Sequence, residues 1–214
     1  MGQKVSTYVM RLGINQAWQS CWFAPKKEQG NWLQQDKLIR NYLFTRFPEI
    51  TQIKIERTET ELVIFARSPN TSLITGESDD SVDIILAKIT QIANDQKIVI
   101  KPRLYLEKDN FSAQKMANDL AQELKNRVHS RSALRIRALQ EESRDFVVRI
   151  KGIIDGVEMA QVKKNSRGRM PSSTLDSLIE EGRAKASVER GQIGVSVLIY
   201  KGKRKKTKYV NFNT

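Results

Sequence analysis

The fold of the first half of this chain is decided by residues 50–66, ITQIKIERTETELVIFA. Ile53 and Ile55 alternate with polar residues, which predicts a half-buried strand at 50–57. The LVIF run that follows is apolar on both faces, so we predict a second, more central strand at 61–66.

Further elements complete this unit on either side of the two strands. Turn formers fill 68–76, and a helix follows with Ser78 as its candidate N-cap. Its apolar residues recur every three or four positions and form one stripe: Val82, Ile85, Ile89 and Ile92. A third strand is predicted at 97–106, where Pro102 indicates an edge strand or a break.

An earlier helix would cover one side of this sheet. It is predicted to begin at Asp36, as its cap, and to end at Phe47 before Pro48. The aromatic residues Trp18, Trp22 and Phe23 precede it, and they could pack against a core or stack on bases. We expect packing for at least two of the three.

Positive charge accumulates in the second half of the chain. Residues 1–109 carry 15 Lys and Arg against 13 Asp and Glu, whereas residues 110–214 carry 22 against 11. Most of the formal net charge of +13 therefore lies behind residue 110. This asymmetry indicates a polyanionic partner, and it favours nucleic acid over an anionic membrane because several elements share the basic residues.

The composition excludes several kinds of site. Cys21 and His129 are single, so an internal disulfide, a thiolate metal cluster and a multi-histidine metal site are not expected. No apolar run approaches the length of a membrane span, and we expect no signal or transit peptide. No cofactor is expected.

A strongly periodic helix is predicted from Ser112, with an apolar stripe of ordinary core residues. Arg127, Arg131 and Arg135 follow at steps of four, so they would share a face if the helix continues or restarts at Ser130. We see no acidic partner at matching steps, which favours a phosphate partner, since a guanidinium binds phosphate bidentately.

The last segment is predicted to form an antiparallel sheet. Strands are expected at 146–150, 157–163 and 193–200, while 174–190 fits a strand or a helix. A basic loop is expected at 163–171, and 201–208 is a run of positive charge.

The order of these parts, together with short motifs spread over nearly the whole chain, resembles the small-subunit ribosomal protein S-three family of the bacterial and organellar type. The motifs are Met1-Gly2-Gln3-Lys4-Val5, Arg11-Leu12-Gly13-Ile14, Trp22-Phe23, Asp36 with Ile39-Arg40 and Tyr42-Leu43, Ile55-Glu56-Arg57, Ala66-Arg67, Gly168-Arg169 with Pro171 and Thr174-Leu175, and Ile193-Gly194-Val195 with Lys201-Gly202.

The resemblance implies an α+β architecture in four parts. These are a basic N-terminal arm at 1–16, a type II KH-like domain at 17–107, a C-terminal α+β domain at 108–200 with a basic helix pair and an antiparallel sheet, and a basic tail at 201–214.

It also implies a structural constituent of the head of the small ribosomal subunit, which binds rRNA and lines the channel where mRNA enters, helping to hold and unwind it. The residues predicted to face mRNA are Arg127, Arg131, Arg135 and Arg137. Ser132 departs from the basic residue usual in the family.

The residues predicted to contact rRNA are Gly2, Gln3, Lys4, Arg11, Lys163, Lys164, Arg167 and Arg169. Neighbouring head proteins, S-ten and S-fourteen, are the expected protein partners, no membrane partner is expected, and the plastid stroma is favoured over the bacterial cytoplasm.

The loop that clamps phosphate in KH domains is degenerate here. A GxxG loop holds phosphate with its backbone amides, whereas the matching stretch is Thr75, Gly76, Glu77 and Ser78, followed by Asp79 and Asp80. A carboxylate beside a phosphate is unfavourable. We therefore predict that this loop does not clamp RNA.

Two other classes of function compete with this one. A free KH-type RNA-binding regulator would need an intact phosphate clamp. A nuclease would need carboxylates that converge on a metal, whereas the pairs Glu141-Glu142 and Glu180-Glu181 are interpreted as facing solvent. The chain is predicted not to be an enzyme.

Overall fold

A computed structural model of the chain describes residues 5–58, 61–75, 80–93, 101–109, 112–134, 145–189 and 191–203. It divides into two compact units. One is Trp18–Lys115, and the other joins Met1–Ala17 to Met116–Thr214. The N-terminal arm therefore belongs with the C-terminal half of the chain.

The unit Trp18–Lys115 is a four-stranded sheet with helices. Its elements are β1 (Ser20–Cys21), α1 (Gln29–Arg46), β2 (Gln52–Arg57), β3 (Glu61–Ser68), α2 (Ser72–Thr75), α3 (Asp80–Ala93) and β4 (Lys101–Lys108). The strand order is β1-β2-β3-β4, where β2 and β3 are antiparallel and the other two pairs are parallel.

The central position of β3 is confirmed. Leu62 and Ile64 are fully buried on one face, and on the other Phe65 stacks on Tyr105 with 5.3 Å between the ring centroids. Pro102 lies on the edge strand β4, as predicted, because an edge tolerates a residue that cannot donate a backbone hydrogen bond.

The predicted helical stripe forms part of the core of this unit. Ile85 and Ile89 of α3 and Ile39 and Leu43 of α1 pack in one cluster with β2 and β3, and Ile92 packs against that cluster. This agrees with the prediction that the first helix covers the sheet.

The predicted start of α1 is wrong by about two turns. The helix begins at Gln29, and Asp36 lies inside it with 4% exposure. Asp36 accepts hydrogen bonds from Trp22 Nε1 at 2.9 Å and from Ser20 Oγ at 3.1 Å. In the sequence alone Asp36 looks like an N-cap, because aspartate is a common N-cap residue and its hydrogen bonds to Trp22 and Ser20 are not visible there. The helix ends at Arg46, before Pro48, as predicted.

One of the three early aromatic residues packs, rather than two. Trp22 contacts Trp32 edge-on at 5.6 Å, but Trp18 is 61% exposed and Phe23 is 90% exposed. The guanidinium of Arg57 lies over the Trp32 ring at 4.4 Å.

The second unit contains α4 (Ala113–Lys125) from its residue 116 onward and an antiparallel sheet. The strands are β5 (Phe146–Gly152), β6 (Gln161–Arg167), β7 (Ser177–Val188) and β8 (Gly191–Lys203), in the order β6-β5-β8-β7. The predicted α+β class and antiparallel sheet are confirmed, and the apolar stripe of α4 is buried.

Two predictions about this sheet need correction. The segment predicted as a basic loop begins inside β6, which runs to Arg167, and the predicted strand at 157–163 starts later, at Gln161. Within the segment at 174–190, which fits either a strand or a helix, residues Ser177–Val188 form the strand β7, which pairs with β8.

The arm is fixed to β7 by a buried arginine. Arg11 is fully buried and donates hydrogen bonds to five backbone carbonyls. These are Ser177 at 2.9 Å, Thr7 at 3.0 Å, Thr174 at 2.9 Å, Ser172 at 3.1 Å and Pro171 at 3.4 Å. The prediction that Arg11 contacts RNA is therefore wrong, since its guanidinium is saturated inside the fold.

Glu181 holds the same arm. It accepts hydrogen bonds from Ser6 Oγ at 2.5 Å, from the Thr7 backbone at 3.1 Å and from Thr7 Oγ1 at 2.9 Å. Burial raises the pKa of Glu181, but the hydrogen bonds from Ser6, Arg183 and Thr7 outweigh burial and lower it. Its side chain is only 9% exposed, so the interpretation of Glu181 as a solvent-facing charge is wrong.

We predict that Arg11→Met lowers the free energy of unfolding of this unit by about 3 kcal/mol or more, because the carbonyls lose a charged donor. All three tryptophans lie in the other unit, so the expected result is an earlier urea transition by circular dichroism with an unchanged midpoint by tryptophan fluorescence. Arg169→Met, at an exposed position of the same unit, should leave both transitions in place. A wild-type circular dichroism transition for Arg11→Met would show that Arg11 does not hold the arm.

Candidate nucleic-acid interface

The predicted arginine face is interrupted at Arg127. Helix α4 ends at Lys125, and Arg127 has a φ of 61°, in the left-handed region. Its guanidinium forms an ion pair with Glu189, with both side chains largely exposed. Arg127 therefore does not continue one helical face with Arg131, and it has an acidic partner that helical spacing did not reveal. Arg135 and Arg137 lie outside the described residues.

The segment at 130–134 is helical again, and its burial pattern orients Arg131. Ser130, Ala133 and Leu134 are buried, whereas Arg131 and Ser132 are exposed. In the part of the chain that the structure describes, the Arg131 guanidinium has neither an ion pair nor a hydrogen bond. Arg131 is thus available to a phosphate.

An aspartate from a distant turn fixes the start of this helical segment. Asp155 accepts hydrogen bonds from the Ser130 backbone at 3.0 Å and from Ser130 Oγ at 2.5 Å. Lys163 donates to the same carboxylate and, at 2.9 Å, to Ser130 Oγ. His129 Nε2 lies 3.6 Å from Asp155 Oδ2. The cluster caps the segment in the way an N-cap side chain does.

The Asp155 carboxylate is held ionised by these donors. Burial alone would raise the pKa of Asp155, but the hydrogen bonds from Lys163 and Ser130 have the larger effect and lower this pKa to about 2. The Asp155 side chain is 15% exposed, although the residue as a whole lies at the surface.

The same cluster removes Lys163 from the predicted rRNA contacts. Its ammonium is bound to Asp155 and Ser130, and its side chain is 33% exposed. Lys163 is a structural residue here because its charge is already neutralised.

Three other residues predicted to contact rRNA are exposed: Lys164, Arg167 and Arg169. Gly168 makes the turn between the last two. It has a φ of 68°, and a Cβ at this position would lie 1.6 Å from Asp145 Oδ1. Any larger residue would therefore disturb the turn that separates Arg167 from Arg169.

The remaining predicted contacts fall largely outside the described residues. Gly2, Gln3 and Lys4 lie there, as do Gly76, Glu77 and Ser78 of the degenerate loop. Thr75 is the last residue of α2, and its amide donates to the Thr71 carbonyl at 3.0 Å.

No pattern in the sequence indicates the partners of these arginines and lysines. Asp155 follows a strand by a few residues and looks like an ordinary turn aspartate, and Glu189 sits beside a chain reversal. Over the described residues, acidic, histidine and cysteine side chains form no group of three that could hold a metal, and no helix has the length and apolar character needed to span a membrane.

Together, the exposed arginines and lysines and the two α+β units define a basic protein whose surface suits a polyanion. Comparison with known proteins identifies the family. Residues 117–199 match the family described as "Ribosomal protein S3, C-terminal domain".

Curated relatives extend the match to nearly the whole chain. Small ribosomal subunit protein uS3 of Spiroplasma citri is 32% identical, over 94% of this chain and 82% of the relative. The proteins of the same name from Mycoplasmoides gallisepticum and Persephonella marina are 35% and 33% identical, each over 94% of this chain, and over 79% and 91% of their own lengths.

The chain belongs to the small ribosomal subunit protein uS3 family. This confirms the resemblance inferred from the sequence and the prediction that the chain is not an enzyme. The relatives reported above come from bacteria, so they give no support to the predicted plastid origin.

We predict that Asp155 contributes a pH-dependent part of the stability of its unit. Because its folded pKa of about 2 lies below the unfolded value of about 3.9, the contribution is present above pH 4 and is lost as the pH falls toward 2. The free energy of unfolding of the wild type minus that of Asp155→Asn should therefore shrink over this range in urea titrations. Asp176→Asn, at an exposed position, serves as the control. A difference that is constant with pH would contradict the assignment.

Proposed function

We propose that this chain is a structural constituent of the head of the small ribosomal subunit, where it binds rRNA and lines the channel through which mRNA enters. The observation that carries the proposal is the fixed and exposed position of Arg131. Membership of the uS3 family supports the ribosomal location.

The geometry around Arg131 suits a grip on a moving strand. The Ser130–Asp155 cap fixes the backbone at the start of the helical segment, while the guanidinium projects outward with no partner in the described part of the chain. A fixed backbone reduces the entropy lost on binding. Since phosphate contacts carry no sequence information, such a grip would serve any message.

Contacts with rRNA are proposed for the exposed residues Lys164, Arg167 and Arg169, together with Gly2, Gln3, Lys4 and the basic tail. Binding of this kind is mainly electrostatic and weakens with salt. S-ten and S-fourteen are proposed as neighbouring proteins. The predicted location in the plastid stroma has no support from the bacterial relatives.

We propose a KH-like role for the unit Trp18–Lys115, as a packing module rather than an RNA clamp. The succession of β3, the short helix α2, α3 and the parallel strand β4 supports the KH-like order. The acidic residues at 77–80 argue against a phosphate clamp. Crosslinking of Gly76 or Glu77 to an RNA phosphate in the assembled subunit would contradict this role.

Sedimentation separates the proposal from its alternative, a free KH-type regulator. A tagged chain expressed in its native cells should sediment with the small subunit after a wash at moderate salt. A chain that remains at the top of the gradient would favour the regulator.

We predict that small subunits carrying Arg131→Ala and Arg135→Ala translate messages with a hairpin near the start more slowly, while unstructured messages are translated at the wild-type rate. The reason is that the grip on incoming mRNA loses two positive charges. Lys26→Ala with Lys27→Ala, two exposed lysines of the other unit, is the matched control. Equal translation of hairpin-bearing messages by the double variant and the control would refute the assigned role.

A further inference from the structure

The outward face of the C-terminal sheet carries a group of arginines and lysines. None of them is among the residues proposed to contact mRNA, and only Lys164 is among those proposed to contact rRNA. Strand pairing places Arg149 of β5 opposite Lys164 of β6 and opposite Ser196 of β8. Ser196 in turn pairs with Arg183 of β7. Because paired residues project to the same side of a sheet, these four side chains form one row.

A second row lies two residues along the strands. Lys151 pairs with Val162 and with Gly194, and Gly194 pairs with Lys185. The two rows together contain five positively charged side chains, which we call the cationic face: Arg149, Lys151, Lys164, Arg183 and Lys185.

The burial pattern shows that this face is the outer one. Val148 and Ile150 alternate with Arg149 and Lys151 along β5, Val195 and Val197 alternate with Gly194 and Ser196 along β8, and all four apolar residues are almost fully buried. By contrast, four members of the cationic face are exposed, and Arg149 is half-buried.

The positive charge of this face is largely uncompensated. Arg183 forms an ion pair with Glu181 at 2.5 Å. That carboxylate also accepts the hydrogen bonds of Ser6 and Thr7, so it is fully engaged. Within the described residues, the other four members have no carboxylate within ion-pair distance.

Such a concentration of charge is unfavourable without a partner. Strand spacing of about 4.8 Å and a rise of about 6.8 Å over two residues place neighbouring members within a Debye length of about 8–10 Å at physiological salt. They therefore repel one another, and a polyanion would relieve that repulsion.

The centre of the face is a shallow trough. Gly194 and Ser196 of β8 form its floor, between Arg149 and Lys151 on one side and Arg183 and Lys185 on the other. The two flanking strands lie two strand spacings apart, or about 9.6 Å. This width accepts a single extended backbone.

The fold does not require a glycine at position 194. Gly194 lacks the positive φ that favours glycine, and a Cβ built there meets only the Lys151 carbonyl oxygen, at an ordinary 3.9 Å. Glycine inside a strand lowers stability and often marks the close approach of a ligand or another backbone.

We propose that this trough binds one sugar–phosphate strand of RNA, with the cationic face contacting its phosphates on both sides. No aromatic side chain lies in either row, so the contact reads the backbone and not stacked bases. The inference rests on the proposed ribosomal function only for the source of that RNA, which would be rRNA.

The test uses the full chain and a labelled twenty-nucleotide poly(U) strand, with affinity measured against salt concentration. The variant Arg149→Gln/Lys151→Gln/Lys185→Gln removes three contacts and leaves Arg183 on Glu181. At about 0.7 per phosphate contact, the slope of log affinity against log salt should become shallower by about 2. The control Lys26→Gln/Lys27→Gln/Lys37→Gln removes the same charge from exposed positions of the other unit and should keep the wild-type slope.

A second variant tests the trough without changing charge. Gly194→Val suits a strand and should melt at or above the wild-type temperature, yet it should bind poly(U) several-fold more weakly because it fills the floor. If the triple glutamine variant does not fold, this variant decides the question.

Equal slopes for the triple variant and its control, or wild-type binding by a normally folded Gly194→Val, would overturn the proposal and leave the face to an acidic protein neighbour. Failure of the wild-type chain to sediment with the small subunit would instead overturn the ribosomal function. The poly(U) result would stand, since it does not depend on assembly.

Discussion

The buried guanidinium of Arg11 is the interaction on which the C-terminal unit depends. Its five carbonyl partners lie on the arm itself, on β7 and on the segment at 171–174 that leads into β7. A charged group can remain inside a protein only when its donors are satisfied, and the planar fork of arginine allows this here. Over the described residues, the arm is hydrogen-bonded to β7 at Ser177 and Glu181, and the members of the cationic face on β7, Arg183 and Lys185, lie further along that strand.

The same principle divides the positive charges of the second half into two groups. Arg11, Lys163 and Arg127 are neutralised by the fold, through carbonyls, Asp155 and Glu189 respectively. Arg131 and most of the cationic face have no such partner in the described residues. A net charge alone predicts affinity for a polyanion. The tertiary contacts decide which basic residues remain available to bind the polyanion.

The sequence predicted what depends on local pattern and missed what depends on distant partners. The alternation in 146–150 and the apolar run in β3 predict burial correctly, because the side chains of a strand point alternately to its two faces whatever the rest of the chain does. Arg11 was misplaced because its partner Ser177 is 166 residues away. Asp36 is not a cap because its partners, Trp22 and Ser20, lie on a segment that precedes the helix. Lys163 is not an RNA contact because the chain reverses between β5 and β6 and brings Asp155 to its ammonium, a contact that neither strand nor helix spacing predicts.

The register of the strands determines the cationic face, because strand pairing can bring together side chains that are far apart in the sequence. Arg149, Lys164 and Arg183 are separated in the chain by at least fifteen positions, yet strand pairing aligns them in one row. A one-residue slip of β5 would bury Arg149 and expose Val148. The buried apolar face therefore fixes the register, and with it the position of every charge on the opposite face. The hydrophobic core of this unit thus determines its electrostatic surface.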